Sequence, residues 1–348
     1  MKRSILPLVA LALVFVSACS GASAVAAGPR ASQGSGDRIA FTQGSPDGGP
    51  VDLMLVNPTS GEPEQISVED PPELFSFPVW SPDGSKILLS HTFRLDLAGN
   101  CCLPFRPAIV NPDGSGFTLL TMAYGPPDMD CAAWTPDQTR ILCGFGGAHP
   151  GVFSVNASNG RNPVRLTTSP YGSSDQGAKE LPTAVSPDGS RFLFIRFKPA
   201  RTERAVEAAL FVENMDGSGL RQLTPFGFMF PHDDQAWASW SPDGTKIIST
   251  TARGRLFTVN PDGKQLNVID LKTTGSQYFA FDPHWSPDGS QIVFGMFTNG
   301  TVHLDGNTSR DATEDLYTAN ADGSKVTQIT HDSDVQHSPD WGVGSPGA

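Results

Sequence analysis

A short phrase of the sequence recurs five times, and it constrains the fold more than any other feature. It reads WSPDGSKILLS from Trp80, and variants of it begin at Trp134, Val185, Trp240 and Trp285. Each copy is an apolar segment, a Pro-Asp turn and a second apolar segment rich in β-branched and aromatic residues. This pattern is typical of a β-hairpin. An enzyme needs one site rather than five copies, so we interpret the repeated aspartates as turn formers: Asp83, Asp137, Asp188, Asp243 and Asp288.

A second turn phrase, which reads Asn-x-Asp-Gly in four of its six copies, alternates with the first. It begins at Asn57, Asn111, Asn156, Asn214, Asn260 and Asn320. One repeat unit is therefore strand A, the first turn, strand B, a loop, strand C, the second turn and strand D. The first turns are 45 to 55 residues apart, counted between Ser81, Thr135, Ser186, Ser241 and Ser286. Four-stranded units at this period predict the blades of a β-propeller.

The second turn occurs six times and the first only five, which indicates how the ring closes. The chain enters blade one at strand B, RIAFTQ from Arg38, and HSPDWG at 337–342 supplies the missing strand A. The sequence therefore predicts an all-β, six-bladed propeller over residues 37–342, closed by its terminal strands, with a tail at 343–348. The recurring tryptophans are predicted to be core wedges between blades rather than ligand platforms: Trp80, Trp134, Trp240 and Trp285.

Taken together, the phrases WSPDG, NPDGS and a final Leu-Thr resemble the repeat of the TolB-type propeller family, which is WD40-like and also called PD40. The resemblance covers about residues 37–342. It implies the same six-bladed fold and a protein-binding role in the bacterial cell envelope. TolB proteins also carry an α/β domain before the propeller, and we expect a bare tether in its place here.

The first residues are typical of an export signal. Lys2 and Arg3 precede an apolar run over 5–16, and VSAC follows it. This resembles a lipoprotein signal, so we predict a signal peptide at 1–18, a lipid on Cys19 and a flexible tether at 19–36. The alternative is an ordinary secretory signal cut near ASA. Either form exports the protein, and the first makes it a membrane-anchored lipoprotein facing the periplasm or the cell exterior.

Four cysteines remain after the signal, and two of them flank one hairpin turn. Cys131 and Cys143 each lie six residues from Asp137, so an antiparallel hairpin places them opposite each other. We predict a disulfide between them. Two free thiols are the alternative, and pairings with Cys101 or Cys102 stay open. The cysteines show no spacing typical of zinc ligation.

The predicted ring has two unlike faces. Short, stereotyped turns join A to B and C to D on one face (the turn side), and variable loops join B to C and D to A on the other (the loop side). Variable loops on a rigid scaffold commonly bind ligands. We predict a binding site at the channel mouth of the loop side, for a basic peptide or a divalent cation, and the alternative is a set of solvated acidic loops. Its residues are Asp130, His232, Asp234, His331 and Asp334.

Net charge and motifs narrow the function. A formal charge of −12 disfavours nucleic acid as a partner. The sequence has no GxSxG elbow, P-loop or dinucleotide fingerprint. We therefore predict a monomeric binding or scaffold module without a cofactor, which engages an envelope protein or peptide and contacts the membrane only through its lipid. The alternative is a metal-dependent propeller enzyme, such as a polysaccharide lyase, that uses the channel-mouth His and Asp residues.

Overall fold

The computed structural model consists of strands and turns in the order that the repeats predict. It describes residues 37–45, 51–68, 74–92, 106–121, 129–145, 150–170, 179–199, 206–229, 237–273, 278–298, 313–331 and 333–343. These residues belong to one compact unit, Gln33–Ala348, and a separate unit, Met1–Ser32, lies outside them. The described part of the chain contains no helix that is long and apolar enough to cross a membrane.

The described residues form 24 strands: β1 Arg38–Gly44, β2 Val51–Val56, β3 Pro63–Gln65, β4 Leu74–Trp80, β5 Ile87–Thr92, β6 Arg106–Val110, β7 Thr118–Leu119, β8 Met129–Trp134, β9 Arg140–Phe145, β10 Gly151–Asn156, β11 Val164–Arg165, β12 Lys179–Val185, β13 Arg191–Pro199, β14 Val206–Asn214, β15 Arg221–Gln222, β16 Ala238–Trp240, β17 Ile247–Thr250, β18 Leu256–Val259, β19 Asn267–Val268, β20 Phe279–Trp285, β21 Gln291–Thr298, β22 Thr313–Asn320, β23 Thr327–Gln328 and β24 Val335–Gly342. They group into six antiparallel blades, which confirms the predicted all-β propeller. Blade one is β24-β1-β2-β3, and blades two to six are β4–β7, β8–β11, β12–β15, β16–β19 and β20–β23.

The two ends of the propeller meet in blade one. Strand β24 pairs antiparallel with β1, so that Arg38 lies opposite Gly342 and Ile39 opposite Trp341. The indole of Trp341 is buried with Ile39 and with Val293 of blade six. The predicted closure is therefore confirmed. It leaves blade one with the same four strands as the others, although two distant parts of the chain build it.

The hydrophobic core is divided among the interfaces between neighbouring blades. Trp80 packs in a cluster shared by blades one and two, Trp134 in one shared by two and three, and Trp240 in one shared by four and five. Trp285, partly buried, packs against the cluster of blades five and six. The tryptophans are thus wedges between blades, as predicted, and burial of such large apolar surfaces is the main force that holds the ring together.

A β-bulge interrupts the innermost strand of most blades, about three residues before its end. The register of β4 against β5 shifts between Ser76 and Val79, and β8, β12, β20 and β24 have equivalent shifts. Phe77, Asp282 and Ser338 occupy this position with φ of 55°, 48° and 52°. A bulge bends its strand and redirects the side chains near it. In a propeller the innermost strand borders the central channel, so the bulges determine which side chains lie across it.

The repeated Pro-Asp turns are held by their own side chains, which confirms the role predicted for the aspartates. In the first of them, the Ser81 hydroxyl donates to Asp83 Oδ1 at 2.8 Å and the Ser85 amide donates to the same atom at 2.9 Å. Gln138, which replaces glycine in blade three, has φ of 59°. Its amide group, assigned from its hydrogen bonds, donates to Asp83 Oδ1 at 3.0 Å. Burial opposes ionisation of Asp83, but these hydrogen bonds outweigh it and lower the pKa of Asp83 to about 2.

Candidate functional site

The central channel is blocked partway along its length by two aromatic side chains. Phe77 of blade two and Trp237, which precedes β16 of blade five, have ring centroids 5.4 Å apart. In a ring of six these blades face each other, so the contact spans the channel. Ala132 of blade three completes this buried group. The group, which we call the aromatic plug, separates the channel into a part open to the loop side and a part open to the turn side.

On the turn side of the plug lies a cavity of about 290 Å³. The last residues of all six innermost strands line it, together with the first residues of several turns. Its walls are mostly apolar, with indoles, alanines such as Ala133 and Ala184, and turn prolines such as Pro187 and Pro242. The sequence predicted only short turns on this side, so a cavity was not expected here. It forms because the turns ring the channel mouth without filling it.

One histidine–carboxylate pair lies in this cavity wall. His284 and Asp340 occupy equivalent positions in blades six and one, each just before a tryptophan at the end of its strand, Trp285 and Trp341. His284 Nδ1 lies 2.8 Å from Asp340 Oδ1, and both side chains are 13% exposed. The amide of Trp80 donates to Asp340 Oδ2 at 2.7 Å. The carboxylate therefore joins blades six, one and two, and it fixes the orientation of the imidazole.

On the loop side of the plug lies Asp130, one of the predicted site residues. It belongs to β8 rather than to a loop. It lines a small recess of about 20 Å³ together with Phe77, Trp237 and Ser90. Strand β8 runs from the loop side towards the turn side, and Asp130 stands near its beginning. Asp130 therefore lies near the loop-side surface of the aromatic plug.

The remaining predicted site residues are divided between described and undescribed positions. Asp334 accepts a hydrogen bond from Gln43 Nε2 at 2.9 Å, which ties the start of β24 to the end of β1. His331 is exposed. His232 and Asp234 lie outside the described residues, as do Cys19, Cys101 and Cys102. The structure thus places three of the five residues, and the convergence of the whole set remains a prediction.

A second histidine–carboxylate pair, outside the five predicted site residues, lies near the start of the closing strand. His337 Nδ1 of β24 is 2.5 Å from Glu314 Oε1 of β22, and the His337 side chain is 47% exposed whereas that of Glu314 is 3% exposed. Burial opposes protonation of His337, but the adjacent Glu314 carboxylate and, more weakly, Asp282 outweigh it and raise the pKa of His337.

Metal ligation has no support among the residues that the structure places. No group of three or more His, Cys, Asp or Glu side chains within the described ranges is arranged to hold an ion. Because His232 and Asp234 are outside those ranges, the predicted cation site stays a prediction.

Cys131 and Cys143 form a disulfide. They lie opposite each other in the register of β8 and β9, with Cα atoms 3.9 Å apart. Both residues are buried in the cluster between blades two and three. The bridge therefore fastens the innermost hairpin of blade three next to the recess that Asp130 lines.

A charged network is buried between blades three and four. Arg196 Nε lies 2.5 Å from Glu180 Oε1, with side-chain exposures of 8% and 0%. Glu180 also accepts from the hydroxyl of Thr167, and the guanidinium of Arg196 stacks 4.6 Å from the Phe211 ring centroid. Glu213 is close by, and one of its oxygens, Oε2, is buried without a hydrogen-bond partner. Burial and the Glu180 charge raise the pKa of Glu213 to about 7.

Comparison with known proteins relates this architecture to one named group. No family model matches the sequence. An uncharacterized protein of Agrobacterium fabrum is 26% identical over 270 residues, which cover 64% of this chain and 85% of that protein. The Tol-Pal system protein TolB of Anaeromyxobacter dehalogenans is 35% identical over 106 residues, which cover 30% of this chain and only 20% of that protein.

Two solved structures share the fold over most of the chain. A putative TolB from Agrobacterium tumefaciens superimposes with a TM-score of 0.56 at 19% identity, over 88% of this chain and 91% of that one. TolB from Acinetobacter baumannii superimposes with a TM-score of 0.59 at 18% identity, over 89% of this chain and 67% of that one. Similarity at this level of identity establishes the fold alone.

Proposed function

We propose that this chain, which folds as a TolB-type six-bladed propeller, is an exported binding module of the bacterial cell envelope whose loop side engages a protein or peptide. The observation that carries the proposal is the aromatic plug with Asp130 beside it. A channel closed by Phe77 and Trp237 offers a ligand from the loop side a fixed apolar floor. Rigid aromatic anchors next to a few polar groups are typical of binding surfaces.

Charge supports a basic partner. Asp130 and Asp334 belong to the proposed loop-side surface, and the whole chain carries a formal charge of −12. Such a surface attracts a segment with Lys or Arg side chains, which can also lie over an aromatic ring. Attraction between exposed charges weakens as salt shortens the screening length to about 8 Å at physiological ionic strength. Binding at this surface is therefore expected to weaken with added salt.

Two observations support export. The Cys131–Cys143 disulfide is suited to an oxidising compartment, and the first 19 residues read as a lipoprotein signal. The relatives named TolB include a Tol-Pal system protein, which supports an envelope protein as partner. The lipid on Cys19 would hold the propeller at a membrane surface through the tether at 19–36.

The test is a comparison of two matched double variants as baits in detergent-solubilised envelope. Asp234→Asn with Asp334→Asn removes charge from the predicted loop-side site, and Asp83→Asn with Asp288→Asn removes the same charge from the turn side. We expect the first pair to lose the proteins that the native bait enriches and the second pair to keep them. Loss with the turn-side pair alone, while its fold is intact, would contradict the proposal.

Anchoring is tested separately, because binding does not depend on it. Cys19→Ala is expected to move the protein from the membrane fraction to the soluble envelope fraction and to remove the mass of the lipid. Unchanged membrane association together with unchanged processed mass would show that Cys19 is not the lipidated residue.

A further inference from the structure

The turn-side cavity is a second candidate site, independent of the loop-side surface. The aromatic plug separates the two, because Trp237 lies between them and its ring centroid is 6.4 Å from that of His284. The volume of about 290 Å³ is at the lower end of the range for ligand pockets. A ligand of one small ring with a short side chain fits this space, whereas a folded loop of a partner protein does not.

The polar groups of the cavity include donors and an acceptor: the indole Nε1 atoms of Trp80, Trp240, Trp285 and Trp341 are buried without a hydrogen-bond partner, and His284 supplies the acceptor. Asp340 already accepts from the Trp80 amide, so its contact with His284 assigns the imidazole proton to Nδ1. His284 Nε2 is then an acceptor, and it has no hydrogen-bond partner among the described residues. Thr183 adds a second polar group: it is 4% exposed, lines the cavity, and its hydroxyl is buried without a partner. A buried hydroxyl in that condition costs free energy unless a ligand or a water satisfies it.

The charge around the mouth selects against anions. The turn prolines that line the cavity are followed directly by aspartates, including Asp188, whose pKa is lowered to about 2 by hydrogen bonds from Ser186 and Ser190. The basic residues after these turns have other partners: the Arg191 guanidinium lies 4.9 Å from the Trp240 ring centroid. Lys246 Nζ donates to Asn260 Oδ1 at 2.7 Å, at the end of the third strand of its blade. No Lys or Arg side chain of the described residues lines the cavity.

We propose that the turn-side cavity binds a small organic amine with an apolar body. The apolar body lies against the indole edges, alanines and prolines of the wall. The amine donates to His284 Nε2, and its positive charge is balanced by Asp340 on the far side of the imidazole and by the ring of turn aspartates. The hydroxyl of Thr183 supplies the second hydrogen bond.

Three probes that share one ring and one chain length test this assignment on the full chain: phenethylamine, phenylethanol and phenylacetate. Ligand-detected NMR and titration calorimetry measure their binding, and cyclohexylamine serves as a second amine. We expect saturable binding of the amines, binding of phenylethanol weaker by about tenfold because it lacks a charge-assisted hydrogen bond, and no binding of phenylacetate. Equal binding of the three phenyl probes, or no binding of either amine, would overturn the proposal.

Three variants test whether the amines bind in the turn-side cavity. Ala184→Leu fills the cavity from its wall, Thr183→Val removes the hydroxyl at nearly constant volume, and Asp340→Asn removes the charge. Each is expected to weaken phenethylamine binding by about tenfold or more, while Asp334→Asn on the loop side leaves it unchanged. Thermal unfolding by circular dichroism identifies folded variants. Ala184→Leu keeps the test decisive if Asp340→Asn does not fold, and undiminished amine binding by a folded Ala184→Leu protein would place the site elsewhere and overturn the inference.

Discussion

Phe77 and Trp237 meet across the channel from opposite blades, with ring centroids 5.4 Å apart. The bulge in β4 gives Phe77 a positive φ and turns it into the channel, and Trp237 stands just before the short strand β16. Their contact makes one axial channel into two separate recesses. The two proposed binding surfaces lie on opposite sides of that contact.

The plug is expected to stabilise the ring as well as divide it. Trp237→Ala removes a 9% exposed indole from a contact between non-neighbouring blades, so we expect it to lower the free energy of unfolding by about 3 kcal/mol. Urea unfolding followed by circular dichroism measures the change. Trp237→Phe, which keeps an aromatic ring, is expected to lose clearly less. An unchanged midpoint for the alanine variant would show that the rings touch without contributing to stability.

Closure of the ring by β24 predicts a large effect of a short truncation. Deleting residues 336–348 removes most of the strand that pairs with β1 and the buried indole of Trp341. It exposes a sheet edge and part of the core between blades six and one. We expect this protein to lose its cooperative thermal transition, whereas deletion of 344–348 alone leaves the transition near its native temperature. Equal melting of the two truncated proteins would contradict closure by the terminal strands.

The disulfide predicts sensitivity to reductant. Cys131 and Cys143 are 12 residues apart, and closing a loop of that size is expected to stabilise the fold by about 2–3 kcal/mol. Reduction should therefore lower the urea midpoint of the native chain, and the double variant Cys131→Ala with Cys143→Ala should not respond to reductant. Peptide mapping without reductant identifies the bridge directly. A Cys102–Cys131 peptide would refute the pairing.

Glu213 predicts a fall in stability as pH rises. Its pKa is about 7 in the folded chain against a reference value of 4.5, so the folded state favours the protonated carboxyl group. Its contribution is fully present below about pH 4.5 and is lost as pH rises through about 7. Glu213→Gln stays neutral, so its stability should decline less than that of the native chain between these pH values. Glu207→Gln, in a surface pair with Lys198, is the control and should behave like the native chain. An equal decline in the native and Glu213→Gln proteins would show that Glu213 does not cause the pH dependence.

The fold could be predicted from the sequence because local residue patterns determine the strands and turns of each repeat. The Ser81–Asp83 turn is held by contacts within five residues, and the Cys131–Cys143 register follows from one hairpin. Closure of the ring could be predicted for the same reason. The segment that contains Trp341 resembles the first strand of a repeat, and the strand that should pair with it is missing from its own repeat. Local patterns predict local geometry well.

The channel was less readable, because its side chains meet across blades. His284 and Asp340 are brought together only when the last strand closes the ring, and Phe77 reaches Trp237 only through a bulge that leaves no mark in the alternation of residues. The polar residues of the D–A loops predicted a site on the loop side and gave no sign of the turn-side cavity. The turn aspartates stabilise the backbone of their turns, as predicted. The cavity that the turns enclose depends on the radius of the ring, which the repeats do not specify.

The central claim, that a partner engages the loop side, is tested most directly by site-specific photocrosslinking in cells. A photoreactive residue replaces the exposed His331 on the loop side or the exposed Asp322 in a C–D turn on the turn side, in the full chain with Cys19 intact. We predict one discrete crosslinked product of higher mass from position 331, lost when Asp334→Asn is added, and none from position 322. A discrete product from position 322 alone would contradict the claim.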